Sequence, residues 1–142
     1  MDKSISFTIP IVPVGQRRAR ACVRGRHAAV YKDKVQELAE NVLMTCLAAC
    51  RPKEPLRGSL RLTIRAFLPV PASKPKRWKA QALNGFIGPT TKPDLDNMVK
   101  HLCDCLTQMR FFEDDRQIVQ LDAVKMYSAE PRWEVEITEV AE

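Results

Sequence analysis

The chain of 142 residues contains no apolar run near the roughly twenty residues that a bilayer-spanning helix requires. Its first residues, Met1-Asp2-Lys3-Ser4-Ile5, lack the basic start and long apolar block of a secretory leader, so a cytosolic protein is expected. Histidine is scarce: His27 and His101 are too few and too scattered to make a case for a general base. The five cysteines are an odd number and include no Cys-x-x-Cys. Cys46 and Cys50 share one expected helix and Cys103 and Cys105 another, spacings that do not suit a structural zinc, and no secretory context favours disulfides. Small buried side chains account for them better. Aromatic residues make up only 6% of the chain, and its two tryptophans, Trp78 and Trp133, are expected to pack rather than to stack on bases. There is no internal repeat and no low-complexity tract.

What the chain does have is an uneven charge. The net value of +6 conceals a basic part, residues 1–93, with 18 Lys/Arg against 5 Asp/Glu, and an acidic part, residues 94–142, with 5 against 12. A basic surface can neutralise phosphates and an acidic one can hold cations, which together suit a metal-dependent nuclease. A charge split alone would equally suit two solvated faces; the acidic motif decides between them. Length and ordinary apolar content indicate one domain over 1–142, large enough to bury a core.

Residues 4–12 alternate Ile5, Phe7, Ile9 and Ile11 with small or polar residues, as a strand does, while Pro10 and Pro13 mark an edge strand or an early end. The basic stretch 15–34 suggests a hairpin or loop around Gly25. From Lys32 to Cys50 the stripe Val35, Leu38, Ala39, Val42, Leu43, Cys46, Leu47 predicts an amphipathic helix. Residues 59–68 give the cleanest strand, with Leu60, Leu62, Ile64, Ala66 and Leu68 on one side. A long basic connection follows, with a short helix expected near Ser73–Leu83, broken by Asn84-Gly85. A second main helix is predicted from Leu95 to Met109 with Asp94 as its N-cap, and then strands over 117–127 and 132–140. The order is α+β: a small mixed or antiparallel sheet of about four strands with two main helices.

The chemistry concentrates in Lys92-Pro93-Asp94-Leu95-Asp96-Asn97-Met98-Val99-Lys100 and Glu113-Asp114-Asp115-Arg116-Gln117. Carboxylates about 4 Å apart repel by roughly 4 kcal/mol at an effective dielectric near 20. A bound cation or neighbouring basic groups offset such repulsion, and grouped hard oxygens suit magnesium. Asp96, Lys100 and Asp104 recur every fourth residue and share one helix face. Each has a plainer role: Asp94 as a cap, Asp96 on the helix dipole, Lys100 in an ion pair with Asp96, Asp104 as a solvated residue. Asn97 and Gln117 could orient ligands or simply cap and turn.

These residues resemble the signature of the RusA family of Holliday junction resolvases. The likeness lies in Lys-Pro-Asp-Leu-Asp-Asn-x-x-Lys at 92–100, Asp104, Asp114-Asp115-x-Gln-Ile-Val at 114–119 and Lys125. Upstream, Ile9-Pro10 and Pro13-x-Gly15-Gln16-Arg17-Arg18-Ala19-Arg20 are similar to the family's opening strand and basic turn. The resemblance implies a RusA-like fold and a magnesium-dependent endonuclease, manganese able to substitute, encoded by a bacterium or phage. It further implies a homodimer that nicks four-way DNA junctions symmetrically. On this likeness Asp94, Asp96 and Asp115 are the metal-site aspartates, Lys100 is the catalytic lysine and Asp114 a supporting acid. Arg17, Arg18, Arg20, Arg24, Arg26, Lys74, Lys76, Arg77 and Lys79 are expected to contact DNA phosphates. A catalytically inactive DNA-binding protein of the same fold, or a flap or duplex nuclease, are the competing readings. Two departures stand out. Met109-Arg110-Phe111-Phe112 replaces a Gly-aromatic pair, and the 74–91 connection is longer than in compact members.

Overall fold

A computed structural model describes residues 3–16, 20–24, 27–31 and 34–140. The strands are β1 (Ser4–Ile9), β2 (Arg20–Arg24), β3 (His27–Tyr31), β4 (Leu60–Leu68), β5 (Ile118–Tyr127) and β6 (Arg132–Glu139). The helices are α1 (Lys34–Cys50), α2 (Lys76–Leu83) and α3 (Leu95–Gln108). The main sheet has the order β1-β6-β4-β5, and β2 pairs with β3 antiparallel as a separate ribbon; the turn expected at Gly25 lies outside the described residues. β6 is antiparallel to both β1 and β4, whereas β4 and β5 are parallel, so the sheet is mixed.

Alternation builds the core. In β4, Leu60, Leu62, Ile64, Ala66 and Leu68 are buried, and in β6 Trp133, Val135 and Ile137 match them. Leu43 and Leu47 of α1 and Met98, Leu102 and Leu106 of α3 complete the same cluster. Fully burying one such side chain is worth about 1.5–3 kcal/mol, so the helices are held by these few contacts. The other side of β4 and β6 is polar: Glu134 accepts hydrogen bonds from Arg65 and Arg132 at 3.0 and 2.9 Å, and the Arg132 guanidinium lies 3.9 Å over the Phe67 ring.

Several expected boundaries shift for local reasons. β1 ends at Ile9 because Pro10 has no N–H to give the ladder. Leu38 and Val42 of the predicted α1 stripe stay exposed, since the later turns of the helix supply its core contacts. Gln117 belongs to a short 3₁₀ turn, Asp115–Gln117, and not to the strand. Trp133 is buried as expected, while Trp78 meets Tyr127 edge-on at 5.6 Å.

Parallel strands cannot be joined by a tight turn, so the chain leaves β4, passes through α2 and α3, and returns to start β5 beside the start of β4. β1, β4 and β5 therefore all point the same way. Their carboxyl ends open on one side of the sheet, and the N-terminus of α3 is brought to that side.

Candidate active site

A groove of about 1290 Å³ lies outside those carboxyl ends. Residues 12–16 after β1, Leu68 at the end of β4 with the following Pro69–Pro71, and Tyr127 at the end of β5 line it, together with Thr91–Asp94, Asp96 and Asn97 at the start of α3. Ligand sites in sheets with parallel strands favour this position.

Asp94 occupies the N-cap position of α3 in extended backbone (φ −69°, ψ 139°), yet its side chain accepts no cap hydrogen bond. The expected capping role is thus filled by the backbone alone, and the carboxylate lines the groove with that of Asp96. Both aspartates are exposed, and the helix dipole favours negative charge here. Their approach is fixed from behind: the Lys125 ammonium donates to the carbonyl oxygens of Thr91 and Pro93 at 3.0 Å each. The Lys92–Pro93 peptide is cis.

On the first turns of α3, Asn97 Nδ2 donates to the Gln16 carbonyl at 2.8 Å, and Gln16 Nε2 donates to Asp104 Oδ2 at 3.1 Å. Asp104 is therefore not simply solvated; it anchors the segment that leads into the basic ribbon. Gly15 is required for this contact, because a Cβ there would come within 2.5 Å of Asn97 Nδ2. Lys100 stands exposed one turn beyond Asp96, and the expected Asp96–Lys100 ion pair is absent among the described residues.

The second acidic group is positioned by the end of α3. The Arg110 N–H reaches the Thr107 carbonyl and the Phe111 N–H reaches that of Leu106, at 3.1 and 3.0 Å, with Arg110 at φ 63°. This is a Schellman ending, with Leu106 and Phe111 as its apolar contact, both buried. Phe111 and Phe112 then enter the core, and the Leu56 N–H donates to the Phe111 carbonyl at 2.8 Å. The following turn is tied by Gln117, whose Oε1 accepts from the N–H groups of Glu113 and Asp114 at 2.9 and 3.0 Å. Its Nε2 donates to the carbonyls of Leu56 and Gly58. Gln117 is thus a structural tie. Asp114 caps the turn by accepting from the Arg116 N–H at 2.9 Å, a bond that holds its carboxyl below the ordinary 3.8.

Asp115 is exposed and opens this turn. Burial pushes the Cys103 thiol up to about 12, with the negative charges of Asp115 and Asp104 acting in the same direction. Cys103 lies seven residues beyond Asp96, about 10 Å along the helix axis. The structure thus brings Asp94 and Asp96 together and sets Asp115 toward the middle of α3. Among the described residues, no three His, Cys, Asp or Glu side chains form a group able to hold a metal ion.

Of the expected phosphate contacts, Lys76, Arg77 and Lys79 sit on α2, with Lys74 just before it. Arg20 and Arg24 fall on β2, while Arg17, Arg18 and Arg26 lie outside the described residues. Sequence reasoning did not single out Tyr127 or Gln16 as groove residues: Tyr127 stands in no charged run, and Gln16 is an uncharged residue within the basic stretch 15–34. No helix among the described residues is long and apolar enough to cross a membrane.

The family model described as endodeoxyribonuclease RusA matches residues 10–138. A protein of Bacillus subtilis (strain 168) named uncharacterized protein YqaN is 34% identical over 139 residues, covering 96% of this chain and 97% of that one. The crossover junction endodeoxyribonuclease rusA of Lactococcus phage r1t is 37% identical over 90 residues, covering 63% of each chain. The match spans both acidic segments, the groove and the strands β4, β5 and nearly all of β6, and with it the chain belongs to the RusA family of endodeoxyribonucleases.

Proposed function

We propose that this nuclease is a magnesium-dependent, structure-selective enzyme that resolves four-way DNA junctions by paired, symmetric nicks during recombination and repair. One observation carries the reading: Asp94 gives up the cap of α3 and instead lines the groove beside Asp96.

The donor set fits magnesium. Two exposed carboxylates offer hard oxygens that no side-chain hydrogen bond claims among the described residues. Magnesium takes only one or two such ligands and keeps several waters. Asp94 and Asp96 would hold the ion, with Asp115 as the third acid; to reach the same ion, the turn carrying Asp115 would have to approach the start of α3. When bound, magnesium or manganese supplies an acidified water and charge neutralisation at the phosphate.

The protein's own groups do the rest. Lys100 presents an ammonium to the charge that develops on the phosphate or the departing oxygen. Asp114 holds the turn on which Asp115 stands. Lys125 and Asn97 keep the loop and the helix start in place. Arg17, Arg18, Arg20, Arg24, Arg26 and the basic residues at 74–79 are proposed to bind phosphates, which gives affinity with little sequence information. A two-fold homodimer would present two identical sites for two like-polarity strands.

Cleavage of a synthetic four-way junction, a flap and a linear duplex, compared at one salt concentration with and without magnesium, tests the reading. Rapid magnesium-dependent nicking of the junction alone is the expected result. Equal cutting of all three would replace it with a general nuclease, and tight binding without any cutting would replace it with a non-catalytic binder.

A further inference from the structure

We infer that the groove beside Asp94 and Asp96 receives an unstacked nucleobase of the DNA strand, next to the phosphate where that strand is cut. This deepens the junction reading and rests on it.

Size is the first argument. A hydrated ion and one phosphate need little of a groove of about 1290 Å³, whereas a nucleotide-sized ligand uses such a volume well. A double helix is too broad to enter it, so the occupant is a base turned out of its stack.

The walls make the second argument. Asp94 and Asp96 stand at one side, while Pro13, Leu68, Pro69 and Tyr127 form an apolar surface. Phosphate and sugar gain nothing from such walls, but the flat face of a base does. Tyr127 is the aromatic member of the lining, and sequence-tolerant stacking on aromatic side chains is how single strands are held.

The third argument is continuity with positive charge. Tyr127 meets the Trp78 ring edge-on at 5.6 Å, and the Lys74 ammonium lies 5.0 Å from the Trp78 ring centre. Trp78 belongs to α2, which also carries Lys76, Arg77 and Lys79. The aromatic wall therefore runs directly into a basic helix. A strand could lay its phosphates along α2 and its base in the groove, the combination of basic track and stacking platform that single-strand sites use. Bases at the crossover of a four-way junction are the cheapest to turn out, because the continuous stack of the exchanging strands is already broken there.

The experiment uses the full-length wild-type protein in EDTA, so that DNA is bound and not cut. A fluorescent aminopurine base is placed in turn at each position flanking the cleavage point of a synthetic junction. Binding is expected to raise its fluorescence several-fold at one flanking position and not at the others. Val70→Trp, which fills the groove, should remove that rise and lower kcat/KM with magnesium by roughly tenfold, with an unchanged circular dichroism spectrum. A junction that is bound, and cut when magnesium is added, while every flanking base stays stacked would overturn the groove assignment alone. So would a rise that survives in Val70→Trp. Failure to bind junctions at all would overturn both this assignment and the function on which it rests.

Discussion

The Lys125 ammonium lies 3.0 Å from the carbonyl oxygen of Pro93, the residue immediately before Asp94. The edge strand that closes the crossover is thereby pinned to the loop that delivers the first acidic residue. Lys125→Met is expected to lower stability by about 1–2 kcal/mol, from two lost charge-assisted hydrogen bonds. It should also raise the magnesium concentration needed for half-maximal junction cleavage, and Lys125→Arg should restore part of that shift. A urea titration beside a magnesium titration checks both; a stability loss with an unmoved magnesium midpoint would limit Lys125 to a structural role.

Asp96→Asn should abolish magnesium-dependent nicking and leave junction binding intact. The substitution keeps shape and removes the charge that would hold a cation. Gel mobility and cleavage assays on the same junction separate the two effects, and full cleavage by the variant would refute the role of Asp96.

Lys100→Ala should reduce the cleavage rate by about 100-fold or more while changing junction affinity little, as expected of a group that acts mainly on transition-state charge. Single-turnover rates at saturating protein report the first quantity and binding isotherms the second. Equal losses in both would make Lys100 a plain phosphate contact.

Arg110 holds a left-handed conformation, φ 63°, that a residue with a Cβ adopts at a cost of about 1–2 kcal/mol. Arg110→Gly should relieve this strain, offset in part by the greater freedom of glycine in the unfolded chain. The net expectation is a gain of about 0.5–1 kcal/mol, visible as a thermal midpoint higher by roughly 2–4 °C. A lower midpoint would contradict the helix ending described above.

Hydrogen bonds from Arg132 and Arg65 hold the Glu134 carboxyl below its ordinary value of 4.5. A carboxylate depressed in the folded state adds stability above the unfolded value and loses it as pH falls through the folded one. Glu134→Gln should therefore cost about 0.5–1 kcal/mol at pH 7. The difference from wild type should shrink as the pH drops below 4.5. Urea midpoints across that range measure it, and a difference independent of pH would remove the ionic contribution.

Local patterns made much of this fold legible. The period of two in β4 and the apolar face of α3 name the core directly, because each is a property of consecutive residues. The parallel pairing of β4 with β5 was less legible, since it depends on the path of the chain through two helices. The site divides in the same way. Asp94 and Asp96 are two residues apart and could be placed together from sequence. The setting of Asp115 could not, because it follows from a left-handed Arg110, two core phenylalanines and the ties made by Gln117. Likewise Asp104 looked solvated until its partner Gln16, distant along the chain, was seen beside it.

Because β1, β4 and β5 release the chain at one edge, the segments that wall the groove are loops tethered to an unchanging framework. Such loops can lengthen or exchange residues without disturbing the buried layer beneath them. The long span between β4 and α3 is such a segment, free to change its side chains, and with them the DNA it favours, while the acidic helix start stays in place.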